Sequence, residues 1–119
     1  MLLHITVRSA KTAETVAFYQ WLLGLPVVET VKSPTGEIVF LGGGETKFEI
    51  IPDEKAQAVA AENLTIGFAV DSLDEKIALL KSREIPCTPV LSPAPGVKFV
   101  VFTDLNGCRI QLCEQGSAQ

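Results

Sequence analysis

The feature that most constrains this sequence is an internal repeat. Leu3-His4-Ile5 matches Leu64-Thr65-Ile66 at an offset of 61. Leu25-Pro26 matches Ile85-Pro86 at an offset of 60, and Phe48-Glu49-Ile50 matches Ile110-Gln111-Leu112 at an offset of 62. A period near 60 is too long for a common solenoid, and 119 residues hold only two copies. The chain must therefore build two similar units that each cover their own apolar face.

Each unit reads as strand, helix and three strands. Residues 3–8 alternate with period two, as a half-buried strand does. Residues 13–23 carry a helical stripe of Val16, Tyr19 and Leu23 flanked by Phe18 and Leu22, ended by Gly24 and Pro26. Strands follow at residues 27–32, 38–41 and 46–51, joined by Ser33-Pro34-Thr35-Gly36 and by Gly42-Gly43-Gly44. The order restarts with a strand at 64–70. Ser72, with Glu75 three residues on, opens a helix whose buried stripe is Leu73, Ile77 and Leu80. The remaining strands are expected at 87–91, 99–103 and 109–114, with an irregular loop at 92–96 and a tight turn at Asn106-Gly107. The fold class is α+β: two βαβββ modules, about residues 1–55 and 62–116, within one domain of 1–119.

Parity then sorts the side chains. Leu3, Ile5 and Val7 share one face of the first strand, and His4, Thr6 and Arg8 the other. Phe48 and Ile50 oppose Lys47, Glu49 and Ile51; Leu64, Ile66, Phe68 and Val70 oppose Thr65, Gly67 and Ala69; Ile110 and Leu112 oppose Arg109, Gln111 and Cys113. The apolar sets belong under the helices. His4, Glu49, Thr65 and Gln111 then fall on the opposite faces at matching places in the repeat.

Composition narrows the function. Ten Lys+Arg against 14 Asp+Glu give a net charge of −4, with no basic stripe for nucleic acid. No apolar run is long enough to span a membrane. The N-terminal residues show no basic leader or cleavage site, and three cysteines fit no disulfide framework, so a cytoplasmic location with reduced thiols is expected. Apolar residues reach 47%, and two segments, 38–41 and 99–102, are apolar on both faces. That excess points to a homodimer and an apolar-walled cleft.

His4-Ile5-Thr6-Val7-Arg8, Phe18-Tyr19 with Leu23-Gly24-Leu25, Phe48-Glu49-Ile50, residues 66–71 and Asp104-Leu105-Asn106-Gly107 leading to Ile110-Gln111-Leu112 resemble the vicinal-oxygen-chelate superfamily. That superfamily includes glyoxalase I, bleomycin-resistance proteins and extradiol dioxygenases, and the resemblance covers about residues 2–115. It implies curved mixed sheets forming a funnel, with one divalent ion held from strands one, four, five and eight. The ligand places fall on His4, Glu49, Thr65 and Gln111. His4 and Glu49 match a glyoxalase. Thr65 stands where a His is usual, and Gln111 where a Glu is usual.

Those departures imply a reduced site: metal ligands His4, Glu49 and Gln111, holding one ion (Zn, Ni, Mn or Fe) weakly. Glu49 is the remaining candidate catalytic base, because an amide at Gln111 accepts no proton near neutral pH. Arg8, Thr65 and Gln111 are candidate ligand-binding residues, with Arg8 placed to meet a carboxylate. Asp53 stands where glutathione-using relatives tend to have an amide, which weighs against a glutathione conjugate. Two functions follow. One is a module that binds a small organic ligand in the funnel. The alternative is a metal-dependent lyase, isomerase or oxygenase using His4 and Glu49. For each residue there is also a plain reading: a polar side chain on a wetted sheet face.

Overall fold

A computed structural model describes residues 1–60 and 62–115. The elements run β1 (His4–Ser9), α1 (Thr12–Leu23), β2 (Val27–Ser33), β3 (Gly36–Leu41), β4 (Lys47–Pro52), β5 (Ile66–Val70), α2 (Leu73–Ser82), β6 (Leu91–Ala94), β7 (Val97–Thr103) and β8 (Arg109–Gln115). They divide into two compact units, Met1–Gln57 and Ala58–Gln119. Each holds one four-stranded mixed sheet, ordered β1-β4-β3-β2 in the first and β5-β8-β7-β6 in the second. The fold is α+β, with βαβββ occurring twice.

The repeat extends to the register. β1 runs parallel to β4 with Ile5 opposite Phe48, Thr6 opposite Glu49 and Val7 opposite Ile50. β5 runs parallel to β8 with Ile66 opposite Ile110, Gly67 opposite Gln111 and Phe68 opposite Leu112. A one-residue slip in either pair would turn every side chain to the other face. The match therefore fixes equivalent faces in the two modules.

In the first module, α1 covers the apolar face. Tyr19 and Leu22 are fully buried, and the Tyr19 ring meets Phe48 edge-on at a centroid distance of 5.1 Å. The buried stripe is Thr15, Tyr19 and Leu22 rather than the expected Val16, Tyr19 and Leu23. Thr15 can turn inward because its Oγ1 donates to the Lys11 carbonyl at 2.7 Å and lies 3.4 Å from Ser9 Oγ. A bonded hydroxyl can be buried at little cost. Gly24 ends the helix in the left-handed conformation, its N–H donating to the Gln20 carbonyl.

In the second module, Leu73 and Leu80 of α2 are buried with Val100, Phe102, Ile110 and Leu112. Ser72 Oγ accepts from the Glu75 N–H at 3.2 Å, the N-cap contact that the Ser–Glu spacing predicts. Glu114 adds a second acceptor: its Oε1 takes the Leu73 N–H at 2.8 Å. This bond and the Lys98 ammonium, 3.3 Å from Oε2, hold the Glu114 carboxyl below its ordinary value.

Two sequence expectations need correction. The sixth strand is not 87–91 but Leu91–Ala94, inside the stretch expected to be irregular. It is an edge strand, where Pro93 can sit because one side of the backbone donates to no neighbour. Thr88 still bonds β7, donating its N–H to the Val101 carbonyl and accepting from Val101 N, but outside the ladder. β5 begins at Ile66, so Leu64 and Thr65 precede it. Within the single chain the doubly apolar segments are covered mainly on the helix side. In β7, Val100 and Phe102 are buried while Phe99 and Val101 are half-buried, and in β3 only Leu41 is fully covered.

Candidate functional site

Both modules expose the face away from the helix, and they furnish it differently. In the first, β1 sends out His4, Thr6 and Arg8, and β4 contributes Glu49. Their parallel pairing puts Thr6 beside Glu49. The Thr6 hydroxyl donates to Glu49 Oε1 at 2.5 Å, and His4 Nε2 lies 3.3 Å from the same oxygen. Phe40, opposite Glu49 on β3, sets its ring 6.1 Å from the imidazole in an edge-on contact. Glu49 is only 8% exposed although His4, Thr6 and Arg8 are all open to water.

A carboxylate so enclosed needs polar partners: the Thr6 hydroxyl donates to it, and His4 Nε2 lies at ion-pair distance. Among the described residues, no buried side-chain nitrogen or oxygen is left without a partner. The cluster is pre-set, because a donor arriving from outside meets an acceptor whose position is already fixed by two neighbours.

Arg8, expected to meet a carboxylate, lies at the edge of this face. Its Nη1 is 4.0 Å from Asp53 Oδ2. Asp53 thus offers Arg8 an acidic partner within the chain, and any ligand anion would compete with it. The pair is largely exposed, so it is weak.

The second module places its candidates on equivalent positions with different chemistry. Gln111 is half-buried opposite Gly67, and Thr65 is exposed just before β5. A Cβ built on Gly67 would meet nothing within 4 Å, so the surface beside Gln111 is open. Arg109 lies two residues earlier on the same face, opposite Thr103.

The Cys108 thiol is no nucleophile here. Cys108 is buried in the β7–β8 turn, where burial and then the Asp104 carboxylate push its thiol up to about 12. Asp104 organises that turn, its Oδ1 accepting from the Asn106 and Cys108 N–H groups, each at 2.9 Å.

Among the described residues, no three of His, Cys, Asp and Glu gather as a metal-holding group. His4 and Glu49 are the two strong donors that the first module brings together. Catalytic zinc sites use three protein ligands and keep one position open. Adding a neutral amide and a hydroxyl does not supply the missing charge, so this donor set does not fit a tightly held catalytic ion.

Thr6 is a site residue that the sequence reading missed, although its parity places it between His4 and Arg8. The signal was present: a hydroxyl on the polar face, in register with a carboxylate three strands later in the chain.

The model of one protein family, the Glyoxalase/Bleomycin resistance protein/Dioxygenase superfamily, matches residues 1–112. The uncharacterized protein YaeR of Escherichia coli (strain K12) is 26% identical over 121 residues, spanning 94% of each chain. Among solved structures, the fosfomycin resistance protein FosX from Listeria monocytogenes, complexed with Mn(II) and sulfate, is similar with a TM-score of 0.77 and 17% identity. That match covers 98% of this chain and 91% of FosX. TnmS3, an antibiotic binding protein from Streptomyces sp. CB03234, gives a TM-score of 0.73 at 16% identity, covering 98% and 96% of the two chains. At these identities the structural likeness speaks for the fold.

Proposed function

This chain belongs to the glyoxalase/bleomycin resistance protein/dioxygenase superfamily, and we propose that it acts as a binding module for a small organic ligand. The observation that carries this reading is Glu49: a carboxylate 8% exposed, on the sheet face away from the helix, with Thr6 and His4 on one of its oxygens. Such an acceptor suits a hydroxyl or amine of a ligand. Thr65 and Gln111 offer a hydroxyl and an amide, which orient a ligand by hydrogen bonds without adding charge. Arg8 would take an anionic substituent only in competition with Asp53. One domain spanning residues 1–119, working as a cytoplasmic homodimer, belongs to the same reading. Val27, Val28 and Val31, exposed on edge strand β2, support the dimer.

A second reading rests on the 3.3 Å approach of His4 to Glu49. There the chain is a metal-dependent lyase, isomerase or oxygenase, with a divalent ion held by His4, Glu49 and Gln111. Glu49 would have to serve as both ligand and base, because Gln111 cannot accept a proton. The Mn(II) complex of FosX is the likeness that supports it.

Isothermal titration with Mn(II), Ni(II) and Zn(II) separates the two. The unaltered chain should bind these ions weakly, and the double variant Thr65→His with Gln111→Glu should bind tightly, one to one. Tight binding by the unaltered chain would move the conclusion to the enzyme. No gain in the double variant would show that the four positions do not share a site.

A further inference from the structure

The second module carries a cleft of about 370 Å³ whose lining includes Pro86, Thr88, Val101, Thr103 and Arg109. We propose that this cleft binds a small carboxylate with an apolar body, its anionic end on the Arg109 guanidinium.

Two arginines, Arg8 in β1 and Arg109 in β8, lie on the faces away from the helices. Arg8 has Asp53 at 4.0 Å. Arg109 is different: its backbone belongs to the β7–β8 ladder, but among the described residues its guanidinium has no carboxylate within 4.0 Å and makes no side-chain hydrogen bond. A guanidinium presents five N–H donors in a rigid fork that matches a carboxylate with two parallel hydrogen bonds. In a chain of net charge −4, a cation without an internal partner beside a concave surface is a place where an anion gains most.

The rest of the cleft suits the other end of such a ligand. Pro86 and Val101 give an apolar wall. Thr103 sits opposite Arg109 in the β7–β8 ladder, so the two side chains leave the same face, and both line the cleft. Thr88 Oγ1 accepts from Val101 N at 3.0 Å, which leaves its O–H to donate into the cleft. A smaller hollow of about 220 Å³ shares Arg109 and Thr103 and adds Glu62. Glu62 disfavours an anion on that side, so the carboxylate is directed to the larger cleft, which no acidic side chain lines.

The proposal concerns the second module alone and stands whether or not His4 and Glu49 act on a ligand. The test is titration of the ¹⁵N-labelled full chain with sodium benzoate, with benzyl alcohol as the uncharged control. Benzoate should shift the amides of Thr88, Val101, Thr103 and Arg109 saturably, and benzyl alcohol should not. Arg109→Gln should weaken benzoate binding by about tenfold or more, the usual scale for losing a charged hydrogen-bond pair. Arg109 is exposed, and the spectrum of the variant reports directly that it folds. Glu49→Gln should leave the benzoate affinity unchanged, which separates this inference from the reading of the first module. Equal shifts by both probes, shifts that never saturate, or an Arg109→Gln variant that binds benzoate as well as the parent would each overturn the proposal.

Discussion

At equivalent points of the two sheets, Glu49 faces Thr6 in the first module and Gln111 faces Gly67 in the second. One pair is a hydrogen-bonded carboxylate and hydroxyl, the other a neutral amide beside open space. Under the helices the contrast reverses. Pro52 ends β4, whereas its counterpart Glu114 in β8 reaches the first turn of α2. The two modules therefore share apolar positions and register, and differ in where they place charge. Packing sets the first and chemistry the second, so a site is easier to change than the fold that carries it.

The largest test asks whether the modules are equivalent where they should be. Phe48 and Ile110 occupy matching places beneath α1 and α2 and are both buried. Phe48→Ala should cost about 3–5 kcal/mol and Ile110→Ala about 2–5 kcal/mol in urea denaturation. A loss well below 2 kcal/mol for either would mean that its helix does not pack as its partner's does.

The loops joining the last two strands of each module should respond unequally. Gly107 has φ +87°, and an added Cβ would come within 2.9 Å of the Val59 backbone. Gly43, in the matching loop, has nothing within 4 Å. Gly107→Ala should cost about 1–3 kcal/mol, and Gly43→Ala should change stability by no more than about 1 kcal/mol, of either sign. Equal losses would remove the close approach of Val59 as the cause.

The sheet faces away from the helices should differ less in stability. Glu49→Leu removes a nearly buried charge and leaves Thr6 and His4 to water, so it should be neutral or stabilising by about 1 kcal/mol. Gln111→Leu should stay within about 0.5 kcal/mol. Thermal melts of both variants check this. A clear loss in Glu49→Leu would give the carboxylate a structural role and weaken the case that it is kept for a ligand.

Much of this was legible because period two is a strong signal. The alternation through Ile5 and Val7 and through Phe48 and Ile50 is enough by itself to place His4 and Glu49 on one face. β6 was not legible. Its pairing comes from backbone groups, and Ser92-Pro93-Ala94 has no alternation to betray an edge strand. The α1 stripe differs by one position from its expected place because Thr15 reads as polar, and only the bond to the Lys11 carbonyl lets it go inward. Glu114 shares the parity of Ile110 and Leu112, so the sequence does put a carboxylate on the helix side. What it lacks is the distance to the helix start that turns this oddity into a cap. The Arg8–Asp53 contact, between residues 45 apart, was equally hidden.

The smallest effect is the most specific to one module, and it is a pH dependence. Glu114 titrates below its ordinary value of 4.5, first because its carboxylate accepts from the Leu73 N–H and then because Lys98 lies beside it. A group whose pKa falls on folding stabilises the fold in full above its unfolded value, and loses that contribution as pH falls through the folded one. The parent should therefore be more stable than Glu114→Gln at pH 7, and the gap in melting temperature should close as the pH is taken from 4.5 downward. α1 offers no counterpart, because its first turn is organised by Ser9 and Thr15 hydroxyls, which do not titrate there. Amide exchange should accordingly show α2 loosening in acid before α1, and only in the parent. A gap that stays constant through acid would mean that Glu114 holds α2 by packing rather than by its charge. Early loosening of α1 would break the contrast between the two helix starts.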